Sequence, residues 1–273
     1  MNKFILILFI VFIFIINYIG GNDYLFHEVF RSPPTSCHQG YTTDGIYHFT
    51  IYTNIIYKRL DDIFWTTIKY NNKPFYGLIG TYQHLGDGDY YNYKLYLPAQ
   101  EAWQGCIQYH PAILIYNADN LLCENEYSLD VINEASGLVV VPEHGIHGII
   151  YLVSHCDPLN IYKYDLLYPS TFLGYMQLSM PISKIQGITY KNAYFYLSGD
   201  GNCLYRGYEL NGSLQSIELI YKSPYHDNCA EGLDYSQNQI RWLCDLDMGT
   251  TSTIMRYVFY LVDYTGVENW INY

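Results

Sequence analysis

Oxygen-bearing side chains stand at recurrent places beside glycine in this chain. Gln39 precedes Gly40, Gln186 precedes Gly187, Glu231 precedes Gly232, and Asp87 follows Gly86. Turned toward one axis, Glu231, Asp87, Gln39 and Gln186 would offer the carboxylate and amide oxygens that a hard cation such as calcium takes, about 6–8 of them per ion. The alternative reading is that these groups satisfy the backbone of neighbouring strands, as buried polar groups must. His38 and His84 each stand two residues before one of the glycines. An imidazole there can serve as a metal ligand or general base, or it can pack and hydrogen-bond as part of the core.

Other residues point to other chemistry. The runs Gly86-Asp87-Gly88-Asp89 and Gly199-Asp200-Gly201-Asn202 share the first positions of a calcium loop. Neither continues to the later ligands of an EF-hand, and Asp-Gly is a strong turn signal, so both are predicted as turns. The segment 99–111 (AQEAWQGCIQYHP) carries Trp103, Gln104 and Tyr109. On a loop held by a rigid scaffold these would form a stacking surface for a sugar or peptide. The bland reading packs Trp103 on its own sheet. No Gly-x-Ser-x-Gly elbow and no phosphate-cradling glycine loop occurs, so no nucleophile or nucleotide chemistry is read from motif.

The elements that must position these groups follow from composition. With 33 Tyr and 12 Phe against 14 Lys plus Arg, the chain favours strands, and no amphipathic helical periodicity follows Gly21. A formal net charge of −12 argues against a nucleic-acid partner, since phosphate binding needs clustered cations. Lys3 followed by the apolar run Phe4–Ile16 and the pair Gly20-Gly21 has the layout of a secretory signal peptide. It is shorter than the roughly 20 apolar residues that span a bilayer. Residues 1–21 are therefore read as signal peptide, with a single N-terminal membrane anchor as the alternative, and 22–273 as one domain. No stable anchor is expected after cleavage. The destination is extracellular or the secretory lumen, where seven cysteines default to disulfides. Cys106 and Cys123 flank one segment and are a candidate pair. Asn211-Gly212-Ser213 is a glycosylation sequon in a polar turn.

The glycines also reveal a repeat. Gly40, Gly86, Gly137, Gly187 and Gly232 are separated by 46, 51, 50 and 45 residues. Each heads a strand-like run, then a polar turn such as Thr43-Asp44-Gly45 or Lys191-Asn192, then a second strand rich in Tyr, Ile and Leu. A unit of three to four strands in this length fits a β-propeller blade. Glycine at the head of each unit has a physical reason, because innermost strands crowd the axis and leave little room for a Cβ. Only 42 residues remain from Gly232, while 24-YLFHEVF-30 precedes the first unit as an orphan strand. The reading is all-β: five blades, with the N-terminal strand pairing into the last blade to remove an exposed edge. A six-bladed ring is the alternative.

The runs Gln186-Gly187-Ile188 with Tyr194 and Leu197, and Glu231-Gly232-Leu233 with Arg241 and Leu243, resemble the secreted propellers that include NHL-repeat, strictosidine synthase, paraoxonase and gluconolactonase-like proteins. The resemblance implies blade geometry. Several of those families hold calcium in the channel through Glu, Asn and Asp. Here Leu85 and Ser136 occupy matching positions, which departs from that pattern. The expected function is a secreted, glycosylated binding module for a small molecule, carbohydrate or protein at the channel mouth or on one loop face. The alternative is a calcium-dependent lactonase or esterase with Glu231 and Asp87 as ligands and His38 or His84 as base. Expressed in a eukaryotic host, the protein is expected in the medium without its first twenty or so residues and shifted in mass by a glycosidase acting at Asn211. Recovery of full-length chain solely from the cytosol would refute the leader assignment.

Overall fold

The structure, a computed structural model, describes residues 24–32, 38–60, 66–101, 106, 110–143, 147–199, 203–222, 232–236, 239–247 and 254–263. Among these residues the regular elements are all strands. None of the described residues forms a helix long and apolar enough to cross a membrane. Strand β1 (Tyr24–Ser32) comes first and is taken up last. Four strands then pair in sequence order as unit one: β2 (His38–Thr43), β3 (Tyr47–Tyr52), β4 (Ile55–Leu60) and β5 (Thr67–Asn71). In unit two, β6 (His84–Leu85) and β7 (Asp89–Tyr91) both pair with β8 (Lys94–Gln100), followed by β9 (Ala112–Asn117) and β10 (Cys123–Ser128).

Unit three is β11 (Gly137–Pro142), β12 (Gly148–Val153), β13 (Asn160–Asp165) and β14 (Phe172–Leu178). Unit four is β15 (Gly187–Lys191), β16 (Tyr194–Gly199), β17 (Cys203–Leu210) and β18 (Ser213–Lys222). These two units join as one eight-stranded sheet through a short parallel contact that sets Gln177 opposite Ser213 and Leu178 opposite Leu214. In unit five, β19 (Leu233–Ser236), β20 (Gln239–Asp247) and β21 (Ile254–Asp263) are followed in space by β1. Tyr24 lies opposite Asp263 and Ser32 opposite Arg256.

Local sequence explains the hairpins. Tyr91 pairs with Lys94 and Lys191 with Tyr194, leaving two-residue turns. Both central residues of each turn have positive φ: Asn92 at 49° and Tyr93 at 63°, Asn192 at 51° and Ala193 at 67°. That is the type I′ pattern whose twist matches the flanking strands, and asparagine tolerates it well. Asn211, at φ 53°, opens a like turn between β17 and β18 and is exposed, which leaves the sequon accessible.

Packing occurs between units rather than within them. Leu95 and Leu97 of β8, with Leu114 and Tyr116 of β9, join Phe49, Ile51 and Ile56 of unit one in a buried cluster. The alternate residues Tyr96, Ile113 and Ile115 turn the other way and pack on Leu138, Ile150 and Leu152 of unit three. Val139, Tyr151 and Val153 then meet Ile188, Phe195 and Leu197 of unit four. Strands buried on both faces read as continuous apolar runs, as in 112-AILIY-116.

The inner strands touch in a cycle: β2 meets β7, β7 meets β11, β11 meets β15, β15 meets β19, and β19 meets β2. The glycines mark those contacts. A Cβ built on Gly40 would lie 2.7 Å from Asp87 Cα, one on Gly86 2.2 Å from the Ser136 carbonyl oxygen, and one on Gly137 2.7 Å from the Gln186 carbonyl oxygen. A Cβ on Gly187 would meet Asp87 Oδ2 at 2.7 Å, and one on Gly232 would meet Tyr41 at 3.0 Å. Each anchoring glycine thus faces the inner strand of another unit.

The cysteine pairing corrects the expectation from sequence. Cys106 is bonded to Cys156 across 50 residues, and Cys123 is a free thiol. The register explains it. Cys123 pairs with Tyr116 at one end of β9, whereas the loop holding Cys106 leaves Gln100 and returns at Ala112 at the other end. Cys156 sits in the β12–β13 connection, the same place in unit three that Cys106 has in unit two.

Gly86→Ala is expected to destabilise the protein by about 3 kcal/mol or more, because the Cβ meets backbone that cannot swing aside. Gly77→Ala, where nothing lies within 4 Å and only the left-handed φ of 82° opposes the change, is expected to cost roughly 1–2 kcal/mol. Urea unfolding of the two variants would reveal the difference; equal midpoints would show that the inner strands are not in close contact.

Candidate functional site

The run Gly86-Asp87-Gly88-Asp89 is an interrupted inner strand and not the turn predicted for it. Asp87 forms a parallel bridge to Gly137. Its backbone N–H donates to the Ser136 carbonyl at 2.7 Å and its carbonyl accepts from Leu138 N at 3.0 Å. The two glycines serve close approach: a Cβ on Gly88 would lie 2.4 Å from the Tyr96 carbonyl oxygen. The Asp87 side chain is fully buried. Oδ1 accepts from Tyr41 N at 3.0 Å and Oδ2 from Leu233 N at 2.9 Å. One residue of unit two therefore bonds units one, three and five and lies against Gly187 of unit four. Burial pushes its pKa well above the ordinary value, with help from Asp234 and Asp89, while the two N–H donors pull it down.

Beside Asp87 lies a second group that spacing alone did not single out. Thr42 Oγ1 donates to Asp234 Oδ1 at 3.3 Å and accepts from Tyr90 N at 2.9 Å. Asp89 Oδ2 accepts from Val140 N at 2.8 Å. Burial and then the Asp234 charge raise the Asp89 carboxyl to about 8. Asp89, Thr42 and Asp234, from units two, one and five, thus form a carboxyl–hydroxyl–carboxyl group with a proton available near neutral pH. The signal was in the repeat: Thr42 and Asp234 both stand two residues after an anchoring glycine.

The remaining sequence candidates divide clearly. Ser136, beside Gly137, bonds the next unit through Oγ to the Ile185 carbonyl at 2.6 Å, the structural role expected of such positions. Leu85 is buried in the unit one–two core. Gln39 and Gln186 are part-buried, and Gln186 N donates to the Ser198 carbonyl at 2.9 Å. His84 Nδ1 accepts from the Gln100 amide at 3.1 Å, and burial lowers its pKa to about 4. His38 pairs with Tyr52 along β2. Glu231, Trp103 and Tyr109 lie outside the described residues, as does the side chain of His38. Among the described residues no group of three His, Cys, Asp or Glu has the arrangement of a metal site.

Near the disulfide, buried Glu134 accepts from Ser154 Oγ at 2.8 Å and His155 N at 2.6 Å. Burial raises its carboxyl to about 7.

No protein-family model matches the chain, and no curated protein does. Among solved structures the chain is similar to glutaminyl cyclase of Myxococcus xanthus, at 9% identity and a TM-score of 0.58, over 88% of this chain and 97% of that one. That likeness shows a propeller-like all-β fold. The computationally designed Ika8 protein, at 9% identity, and a chain of the mitotic checkpoint complex, at 7%, give TM-scores of 0.37 and 0.42 over 80% of this chain. They cover 59% and 61% of those chains.

The carboxyls set a pH dependence. Asp89 has a folded pKa above its unfolded value, so its contribution to stability is full below about 4 and is lost as pH rises through about 8. Glu134 acts in the same sense up to about 7. The melting temperature is expected to fall between pH 5 and pH 8.5 by more in the wild type than in Asp89→Asn. Parallel melting curves across that window would disprove the burial of the Asp89 charge.

Proposed function

We propose that this chain is a secreted five-bladed propeller, closed by β1 in the last blade, that binds a cationic ligand on its hairpin face. The closure reading rests on the cycle of inner-strand contacts and on the pairing of β1 with β21. The observation that carries the binding reading is the convergence of Asp89 and Asp234 on Thr42, one residue-pair further toward the hairpins than Asp87. Of the expected channel-centred hydrolase set, Asp87 is held by backbone donors and His84 by Gln100, while Glu231 and the His38 side chain lie outside the described residues. Sharing one proton near neutral pH, the pair carries a single negative charge, which favours an amine or guanidinium through a charge-assisted hydrogen bond.

The hairpin tips add a contact surface. Tyr93 is 74% exposed and holds φ 63°, a conformation that glycine would occupy without strain. Strain retained at an exposed aromatic suits a side chain kept for contact. Ile46 is exposed at the tip of the neighbouring hairpin.

A second reading, an acid–base enzyme, has support from the Asp89 carboxyl near neutrality and from a solved structure of like fold that is a glutaminyl cyclase. Calorimetry with a polyamine, an arginine ester and a basic peptide, against neutral and anionic analogues, tests the first reading. Binding is expected for the cationic set and is expected to weaken at least about tenfold in Asp89→Asn and Tyr93→Gly. Equal response to the anionic set would overturn it. Turnover of a glutaminyl peptide followed by mass spectrometry, or a calcium-dependent rise in melting temperature, would instead favour the enzyme readings.

A further inference from the structure

The outer strands of units three and four meet edge to edge. Gln177 of β14 lies opposite Ser213 of β18 and Leu178 opposite Leu214, in a parallel pair that Ser179 extends by donating its N–H to the Leu214 carbonyl at 2.9 Å. Residues paired across a ladder share one face of the sheet, and that face alternates along each strand. Met176, Leu178 and Leu214 turn inward and are buried together in the core between units three and four. Gln177 and Ser213 therefore stand on the outer face, and so does Tyr175, two residues before Gln177 on β14. Leu210, opposite Ser213 in the antiparallel pair of β17 and β18, joins them. Tyr175 is 47% and Leu210 49% exposed.

The Tyr175 ring is set by its neighbours. It meets Tyr162 at 5.1 Å and Phe172 at 4.9 Å, each edge to face, and Tyr162 OH donates to Asp157 Oδ2 at 2.8 Å. Beside it runs the turn between Leu210 and Ser213, which consists of Asn211 at φ 53° and Gly212 at φ 78°. Because β14 and β18 run in the same direction, the chain just before Ser213 lies alongside Met176 and Tyr175. Neighbouring strands are about 4.8 Å apart, so the Asn211 amide stands within a sugar's reach of the ring. Asn211 is exposed, and Asn211-Gly212-Ser213 is the chain's one glycosylation sequon.

We propose that the first N-acetylglucosamine of a glycan on Asn211 packs against Tyr175, so that the chain's own carbohydrate covers the outer face where units three and four join. This rests on the reading of the chain as secreted, since the glycan is added in that compartment. Register selects the occupant: the parallel pair sets the acceptor amide and the exposed ring side by side. Chemistry agrees. A pyranose presents a face of C–H groups that suits the electron-rich face of tyrosine, while its hydroxyls stay in water. The two-residue turn already orders the amide, so little chain freedom is lost when the sugar settles.

The test uses the protein secreted from a eukaryotic host, with occupancy of Asn211 read by peptide mass spectrometry. Melting temperatures are compared for the full glycoform, the form trimmed by an endoglycosidase to one sugar, and Ser213→Ala, which lacks the sequon. The trimmed form is expected to melt with the full glycoform, and Ser213→Ala about 2–4 °C lower. That gap is expected to close in a Tyr175→Ser background and to persist with Tyr175→Phe. In the trimmed form, ring protons of the isotope-labelled sugar should be shifted upfield by the tyrosine, and Tyr175→Ser should abolish the shift. An equal gap in the Tyr175 and Tyr175→Ser backgrounds, or unshifted sugar protons, overturns the contact while leaving the secretion reading intact. An unmodified Asn211 in protein taken from the medium overturns the glycan assignment and the contact with it.

Discussion

One buried carboxylate organises the centre of this protein. Asp87 has no exposed surface, and its two oxygens, its N–H and its carbonyl reach backbone groups of units one, five and three. In a low-dielectric interior each of those bonds is stronger than it would be in water, and each would be costly to leave unmade. An aspartate is well suited here: short enough to stay among the inner strands, and able to accept from two separate donors at once. Its presence in turn requires glycine opposite, since a Cβ at Gly40 or Gly187 would collide with it. The residue thus acts as a hub, and the bare backbone around it follows from that hub.

Away from the centre, cohesion is apolar and sequential. Among the described residues, units two and three each present one set of alternating residues to the unit before and another to the unit after, as Leu97 and Tyr96 do from adjacent positions on β8. The three buried clusters each span two units, so units one to four depend on one another for their cores. The Cys106–Cys156 bond and the Glu134 contacts reinforce one such junction, both acting on the β12–β13 connection.

Much of this frame was legible from the sequence, because steric exclusion leaves a residue-level mark. Glycine at a steady interval, with asparagine in the turns that follow, marks close backbone approach and left-handed turns, and the inner strands and hairpins lie where those residues placed them. The role of Asp87 was not legible. Flanked by glycines, it carries the same signature as a turn, and only the register of distant strands distinguishes the two. The disulfide was missed for a related reason: nearness in sequence suggested Cys123, whereas equivalence in the repeat pointed to Cys156. Its separation of 50 residues matches the step between glycines. Thr42 and Asp234 likewise become partners only when units one and five are neighbours, 192 residues apart in the chain.

The place of β1 bears on how the protein comes into being. Of the described strands it is made first, yet its hydrogen-bond partner is β21, whose last residue lies opposite Tyr24 at Asp263. At about 5–20 residues per second the intervening chain takes roughly 10–50 s to be made. For all that time an apolar, Phe-containing segment has no strand to join. The earlier units can assemble against one another as they emerge, but the first segment must wait with its edge unprotected, open to any other nascent strand nearby. Completion of the last sheet therefore waits on the synthesis of β21, and the amino-terminal strand is the part of the fold that spends longest without its partner during biosynthesis.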